Sequence, residues 1–153
     1  MKYVSTVDQI FLDKLEEKVK NDKRPDSVAR SQFGFEVVEY SLGKIPGSGH
    51  TWYEGYDHDT EHGIYGNCDF KYHNKYGKLT ISSTVKEWIE QGLIDTFITW
   101  KYISRDPYKH LELGEKIKFE LLMYIDAKTV YNNLIQTPKK DRNGDPVYEY
   151  ICS

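Results

Sequence analysis

Cysteine is scarce in this chain, with only Cys68 and Cys152 among 153 residues, so neither a disulfide framework nor a zinc-ribbon spacing is available. No stretch approaches the roughly 18 consecutive apolar residues that a membrane-spanning helix needs. The opening Met-Lys-Tyr-Val-Ser-Thr-Val-Asp-Gln carries no apolar signal region. These absences lead to the expectation of a soluble, cytoplasmic protein with no membrane partner. Positive charge is not in excess either. A formal net charge of −3 argues against a protein that coats nucleic acid or anionic lipid by bulk electrostatics. It leaves a nuclease open, because divalent ions held by carboxylates supply the local positive charge a phosphodiester requires. Proline and glycine are scattered without a linker-like block, and there is no internal repeat. A single domain over residues 1–153 is expected.

The composition is polar, with a mean hydropathy of −0.69. Aromatic residues nevertheless make up 14% of the chain, so tyrosine, phenylalanine and tryptophan must supply much of the core.

Thr6 followed by Gln9 makes a capping box, and Val7, Phe11, Leu15 and Val19 recur at helical spacing, which predicts a helix from about Val7 to Lys20. Alternation from Phe33 to Leu42 suggests a strand ending at the glycine-rich Gly43 to Gly49 cluster. Ile64 to His73 and Lys78 to Ser82, joined by Asn74-Lys75-Tyr76-Gly77, read as a hairpin. Thr84 and Glu87 cap a short helix with Val85, Trp88 and Ile89 inward and Gly92 at its end. Leu93 to Ser104 and Lys116 to Ile125 read as strands. Asp126 is the expected N-cap of a helix carrying Ala127, Val130, Tyr131 and Leu134, stopped by Thr137-Pro138. A basic turn with Lys139, Lys140 and Arg142 leads to a last strand, Val147 to Ile151. The expected fold class is α/β, a mixed α+β sheet flanked by helices.

Acids, imidazoles and glycines concentrate between His50 and Gly77 as nowhere else in the chain. Asp57 and Asp59 precede a run that carries Asp69 and Lys71, and on an extended strand the last two share a face about 6.6 Å apart. Asp57 or Asp59 with Asp69 could hold Mg²⁺ or Mn²⁺, and Lys71 would stand within reach of an attacking water or a phosphate oxygen. The spacing of an acid, a gap of about ten residues, and then Asp69-Phe70-Lys71 resembles the PD-(D/E)xK family, the restriction-endonuclease-like nucleases. That resemblance implies an α-β-β-β-α-β core and a Mg²⁺-dependent endonuclease acting on DNA. It also implies metal ligands at Asp69 and at Asp57 or Asp59, Lys71 positioning the nucleophile, and Glu16 as an optional ligand from the first helix. Neither Asp57 nor Asp59 follows a proline, so the choice between them stays open.

Acid-x-Lys occurs three times, at Glu16-Lys18, Asp69-Lys71 and Asp126-Lys128, so its strand context and upstream acids are what single out Asp69-Lys71. The plainer reading is a solvent-facing strand pair. His58 and His62 at i and i+4, with His50 and His73 nearby, offer a transition-metal reading only if the backbone is helical, which the glycines disfavour. His73 or His58 could instead assist a nuclease as proton donor or phosphate contact. Trp52, Tyr53, Tyr56, Tyr65, Tyr72 and Tyr76 could stack on bases, but core and rim packing is the commoner use of such residues. Two other functions fit the same residues: a non-enzymatic binding or inhibitor module of the phage-encoded kind, and a nuclease-like fold without catalysis. Cutting both strands would call for a homodimer or sequential nicking.

Overall fold

The computed structural model describes residues 2–42, 52–53, 68–74, 76–103, 111–141 and 143–152. It is a mixed α+β protein. In chain order the elements are β1 (Lys2–Thr6), α1 (Gln9–Asn21), α2 (Asp26–Ser41), β2 (Trp52–Tyr53), β3 (Cys68–Tyr72), β4 (Lys78–Ser82), α3 (Ser83–Glu90), β5 (Thr96–Tyr102), β6 (Lys116–Asp126), α4 (Ala127–Asn132), β7 (Ile135–Lys140) and β8 (Pro146–Ile151). Among the described residues the strands form two sheets, of order β1-β6-β5-β3-β2 and β4-β8-β7. The chain groups into two compact units, Met1–Pro46 with Lys101–Glu120, and Gly47–Trp100 with Leu121–Ser153.

In the first unit β1 runs antiparallel to β6, with Lys2 opposite Phe119 and Thr6 opposite Lys116. Thr6 therefore ends a strand that sequence periodicity did not foretell. The cap of α1 is Asp8, whose carboxylate accepts from the Phe11 N–H at 2.8 Å. An ionised oxygen satisfies an orphan donor at least as well as a threonine hydroxyl, and it also suits the positive end of the helix. Phe11 and Leu15 form the buried stripe of α1. Phe11 meets Phe33 of α2 edge to face at 5.2 Å.

The expected strand from Phe33 to Leu42 is instead the larger part of α2. Its buried positions Ala29, Gly34, Val38 and Glu39, with Leu42 just beyond its end, fall on one helix face rather than at the period of two a strand requires. The alternation of Phe33, Phe35 and Val37 misled because those three are only half-buried and, at about 100° per residue, Phe35 lies on the side of the helix away from Phe33 and Val37. Phe35 stacks on Tyr102 with ring centroids 6.4 Å apart.

The second unit packs Leu79, Ile81, Val85, Ile94, Phe97, Ile125, Ala127 and Val130 into one apolar cluster. Two caps fix the helices that feed it. Ser82, rather than Thr84, accepts from the Val85 N–H and starts α3, while Asp126 accepts from the Thr129 N–H and starts α4 as the sequence implied. The expected hairpin does not form. Asn74 Oδ1 does accept from the Tyr76 and Lys78 N–H groups, and Gly77 takes a φ of +64° that glycine tolerates without strain. However, the strands on either side of that turn join different sheets: β3 pairs with β2 and β5, whereas β4 pairs with β8. Lys139 and Lys140 belong to β7, which also contains Pro138, and not to a turn.

Candidate functional site

Strand β3 is paired on both edges. On one side Trp52 lies opposite Asp69 in an antiparallel ladder. On the other, β3 runs parallel to β5, with Asp69 opposite Phe97, Lys71 opposite Thr99 and Tyr72 opposite Trp100. A parallel neighbour requires a crossover, and the segment containing β4 and α3 supplies it. The pleat then separates the side chains. Cys68, Phe70 and Tyr72 take one face, where Tyr72 meets Trp100 edge to face at 5.1 Å. Asp69, Lys71 and His73 take the other.

The sequence placed Asp69 and Lys71 together, and the structure brings them into contact: Lys71 Nζ lies 3.2 Å from Asp69 Oδ2. Asp69 is 0% exposed, so the expected solvent-facing pair is in fact a buried carboxylate beside a half-buried lysine. An ionised carboxylate withdrawn from water is costly unless an opposite charge and hydrogen bonds compensate it. Lys71 provides that charge.

Two further polar groups belong to this face. Thr99 is fully buried in the middle of β5, and its Oγ1 has no hydrogen-bond partner among the described residues. The His73 ring, just beyond the end of β3, likewise has its Nδ1 buried and without a partner among the described residues. The His73 backbone is anchored, since its N–H donates to the Trp100 carbonyl at 2.7 Å. Leaving a buried hydroxyl unsatisfied costs about 1–3 kcal/mol, and native structures contain few such groups. Thr99 carries no motif signal in the sequence and becomes visible only through its register with Lys71.

The other predicted residues fall elsewhere. Asp57 and Asp59 lie outside the described residues, as do His50, His58 and His62. Glu16 stands on α1, in the first unit, and is 2.8 Å from Arg30 Nη2. Among the described residues no group of three or more His, Cys, Asp or Glu side chains is placed to hold a metal ion. Asp69 offers the hard oxygen donor that Mg²⁺ or Mn²⁺ selects, and further carboxylates would have to complete its set. Of the aromatic set, Tyr76 is exposed and Tyr72 is packed against Trp100. Lys101 pairs with Glu120 at 3.4 Å.

Cys68 forms no disulfide and is buried. Burial first, and then the charges of Asp95 and Asp69, push its thiol up to about 11. Because this acid is harder to ionise folded than unfolded, its contribution to stability is complete below the ordinary thiol range and is lost as pH rises toward 11. At pH 8 Cys68 is expected to resist a thiol reagent such as DTNB in the native protein and to react promptly in denaturant. Rapid native labelling at Cys68, read by mass spectrometry, would contradict the burial described.

No protein-family model matches this chain, and neither the curated proteins nor the solved structures contain a match to it.

Proposed function

We propose that the chain is a metal-dependent nuclease that hydrolyses phosphodiester bonds, in DNA by preference, on a restriction-endonuclease-like α-β-β-β-α-β core. The observation that carries this reading is the Asp69-Lys71 contact of 3.2 Å, which holds a carboxylate and an ammonium on one face of a strand hydrogen-bonded on both edges. Rigid strands are the better support for a site whose members must keep their spacing. The order around the pair also supports it: antiparallel β2 and β3, then β4, which pairs in the other sheet, then α3, then β5 parallel to β3. Asp57 and Asp59 lie in the sequence between β2 and β3.

In this reading Asp69 and one of Asp57 and Asp59 hold Mg²⁺ or Mn²⁺. When bound, the ion neutralises charge on the scissile phosphate and lowers the pKa of a coordinated water. The Lys71 ammonium carries three protons and forms an ion pair with Asp69 at 3.2 Å. Those protons are donors for a phosphate oxygen or the attacking water. That water's oxygen bonds to phosphorus as the bond to the leaving sugar oxygen breaks. The water gives up a proton to solvent, and the leaving oxygen gains one. A single site of this kind cuts one strand, so double-strand cleavage would need a homodimer or a second nick.

One observation favours a non-catalytic reading: Asp69 is wholly buried, as a purely structural ion pair would be. In that case the chain is a binding or inhibitor module, or a nuclease-like fold without activity. Nicking of supercoiled plasmid in Mn²⁺ separates the readings. Conversion to open circle that stops with chelator and with Lys71→Ala supports the nuclease. An unchanged plasmid at high protein concentration in both Mg²⁺ and Mn²⁺ favours the binding module.

A further inference from the structure

We infer that Thr99, with His73 beside it, binds a phosphate oxygen next to Lys71, an inference that rests on the phosphodiester reading above and names how the substrate is held. Packing does not require a threonine at position 99. Thr99 sits in a buried run between Ile98 and Trp100, and valine would fill the same volume on a strand without burying a hydroxyl. The chain keeps the hydroxyl there, and its Oγ1 finds no partner among the described residues. Thr99 lies directly opposite Lys71 in the parallel ladder, so their side chains leave the sheet on the same face.

His73 follows Lys71 by two positions on that face, with its Nδ1 also unpartnered among the described residues. Asp69 engages one side of the Lys71 ammonium at 3.2 Å. The remaining groups are an ammonium, a hydroxyl and, in its Nδ1–H tautomer, an imidazole. All three are hydrogen-bond donors, one of them cationic, which suits an oxyanion and disfavours a second cation. Lys71 and His73 are half-buried as residues, while His73 Nδ1 and Thr99 Oγ1 are themselves buried. A phosphoryl group, with several acceptor oxygens, can take donors from more than one of these residues at once.

The test uses the full chain with inorganic phosphate as the probe, followed by calorimetry without added metal, alongside thermal melting and plasmid nicking in Mn²⁺. Thr99→Val is expected to weaken phosphate binding about tenfold, because one hydrogen bond to a charged group is lost. Thr99→Ser is expected to retain most of the affinity. Thr99→Val should melt at the wild-type temperature or about 2–4 °C above it, since an unpartnered buried hydroxyl becomes a methyl of the same size. Equal phosphate affinity in wild type and Thr99→Val would overturn the inference, as would absence of phosphate binding in wild type. A Thr99→Val form that melts well below wild type would assign the hydroxyl to packing and overturn it too. Thr99-dependent phosphate binding without any nicking by wild type would keep the anion site and remove the nuclease reading. Nicking by wild type that Thr99→Val leaves unchanged, with phosphate affinity also unchanged, would remove Thr99 alone.

Discussion

Asp69→Asn is expected to slow plasmid nicking by at least about 10³-fold while leaving the protein folded, a loss of roughly 4 kcal/mol of transition-state stabilisation. The substitution keeps the size of a side chain that is 0% exposed, so it opens no cavity. What it removes is the negative charge. A neutral amide holds a divalent cation far more weakly than a carboxylate does, and the charge on the phosphate is then left uncompensated. Asparagine also relaxes the electrostatic hold on Lys71 Nζ, at 3.2 Å, so the ammonium loses its fixed position. A melting curve close to that of wild type, together with the loss of nicking, would assign the effect to chemistry. If Asp69→Asn nicked at the wild-type rate, Asp69 would have no part in the reaction.

Lys71→Met is expected to damage stability as well as activity, and this combination is diagnostic. Methionine preserves the length of the apolar stem but removes the cation beside a buried carboxylate. Breaking a fully buried pair costs roughly 3–5 kcal/mol, whereas an exposed pair is worth less than about 1 kcal/mol. The Lys71 side chain retains 22% exposure, so solvent screens part of the interaction and a cost of about 1–3 kcal/mol is expected. For a chain of 153 residues that corresponds to a drop of several degrees in melting temperature, roughly 2–4 °C per kcal/mol. Combining Lys71→Met with Asp69→Asn should restore part of the loss, because the uncompensated charge is then absent. The coupling energy in that double-mutant cycle measures the pair directly. Purely additive effects would show that the two groups do not interact appreciably. Nicking by Lys71→Met should fall by about 10²-fold or more, in line with the loss of a positioned donor at a developing charge.

The parts of the fold legible in the sequence are those governed by neighbours along the chain. Asp126 and the apolar residues behind it mark α4 because a side chain three residues before a backbone N–H can cap it locally. The strand carrying Asp69 and Lys71 and the shared face of that pair follow from alternation alone. Local signals fail where distant pairing decides. The turn at Asn74 to Gly77 has hairpin chemistry, yet nothing nearby in sequence says that β4 will seek β8, so that Leu79 faces Tyr150 and Ile81 faces Tyr148. The segment with Phe33, Phe35 and Val37 reads as a strand until Ala29, Gly34, Val38 and Glu39 are seen to be the buried positions. The site divides in the same way. Asp69 and Lys71 belong to a short motif, whereas Thr99 is one of many β-branched strand residues and acquires meaning only opposite Lys71.

Calorimetric titration with Mn²⁺ of wild type and Asp69→Asn, both shown to be folded by their melting curves, tests the metal-dependent reading most directly. Saturable heat in wild type that disappears in Asp69→Asn is the expected result. No saturable heat in wild type, or the same isotherm for both proteins, would contradict a metal site at Asp69.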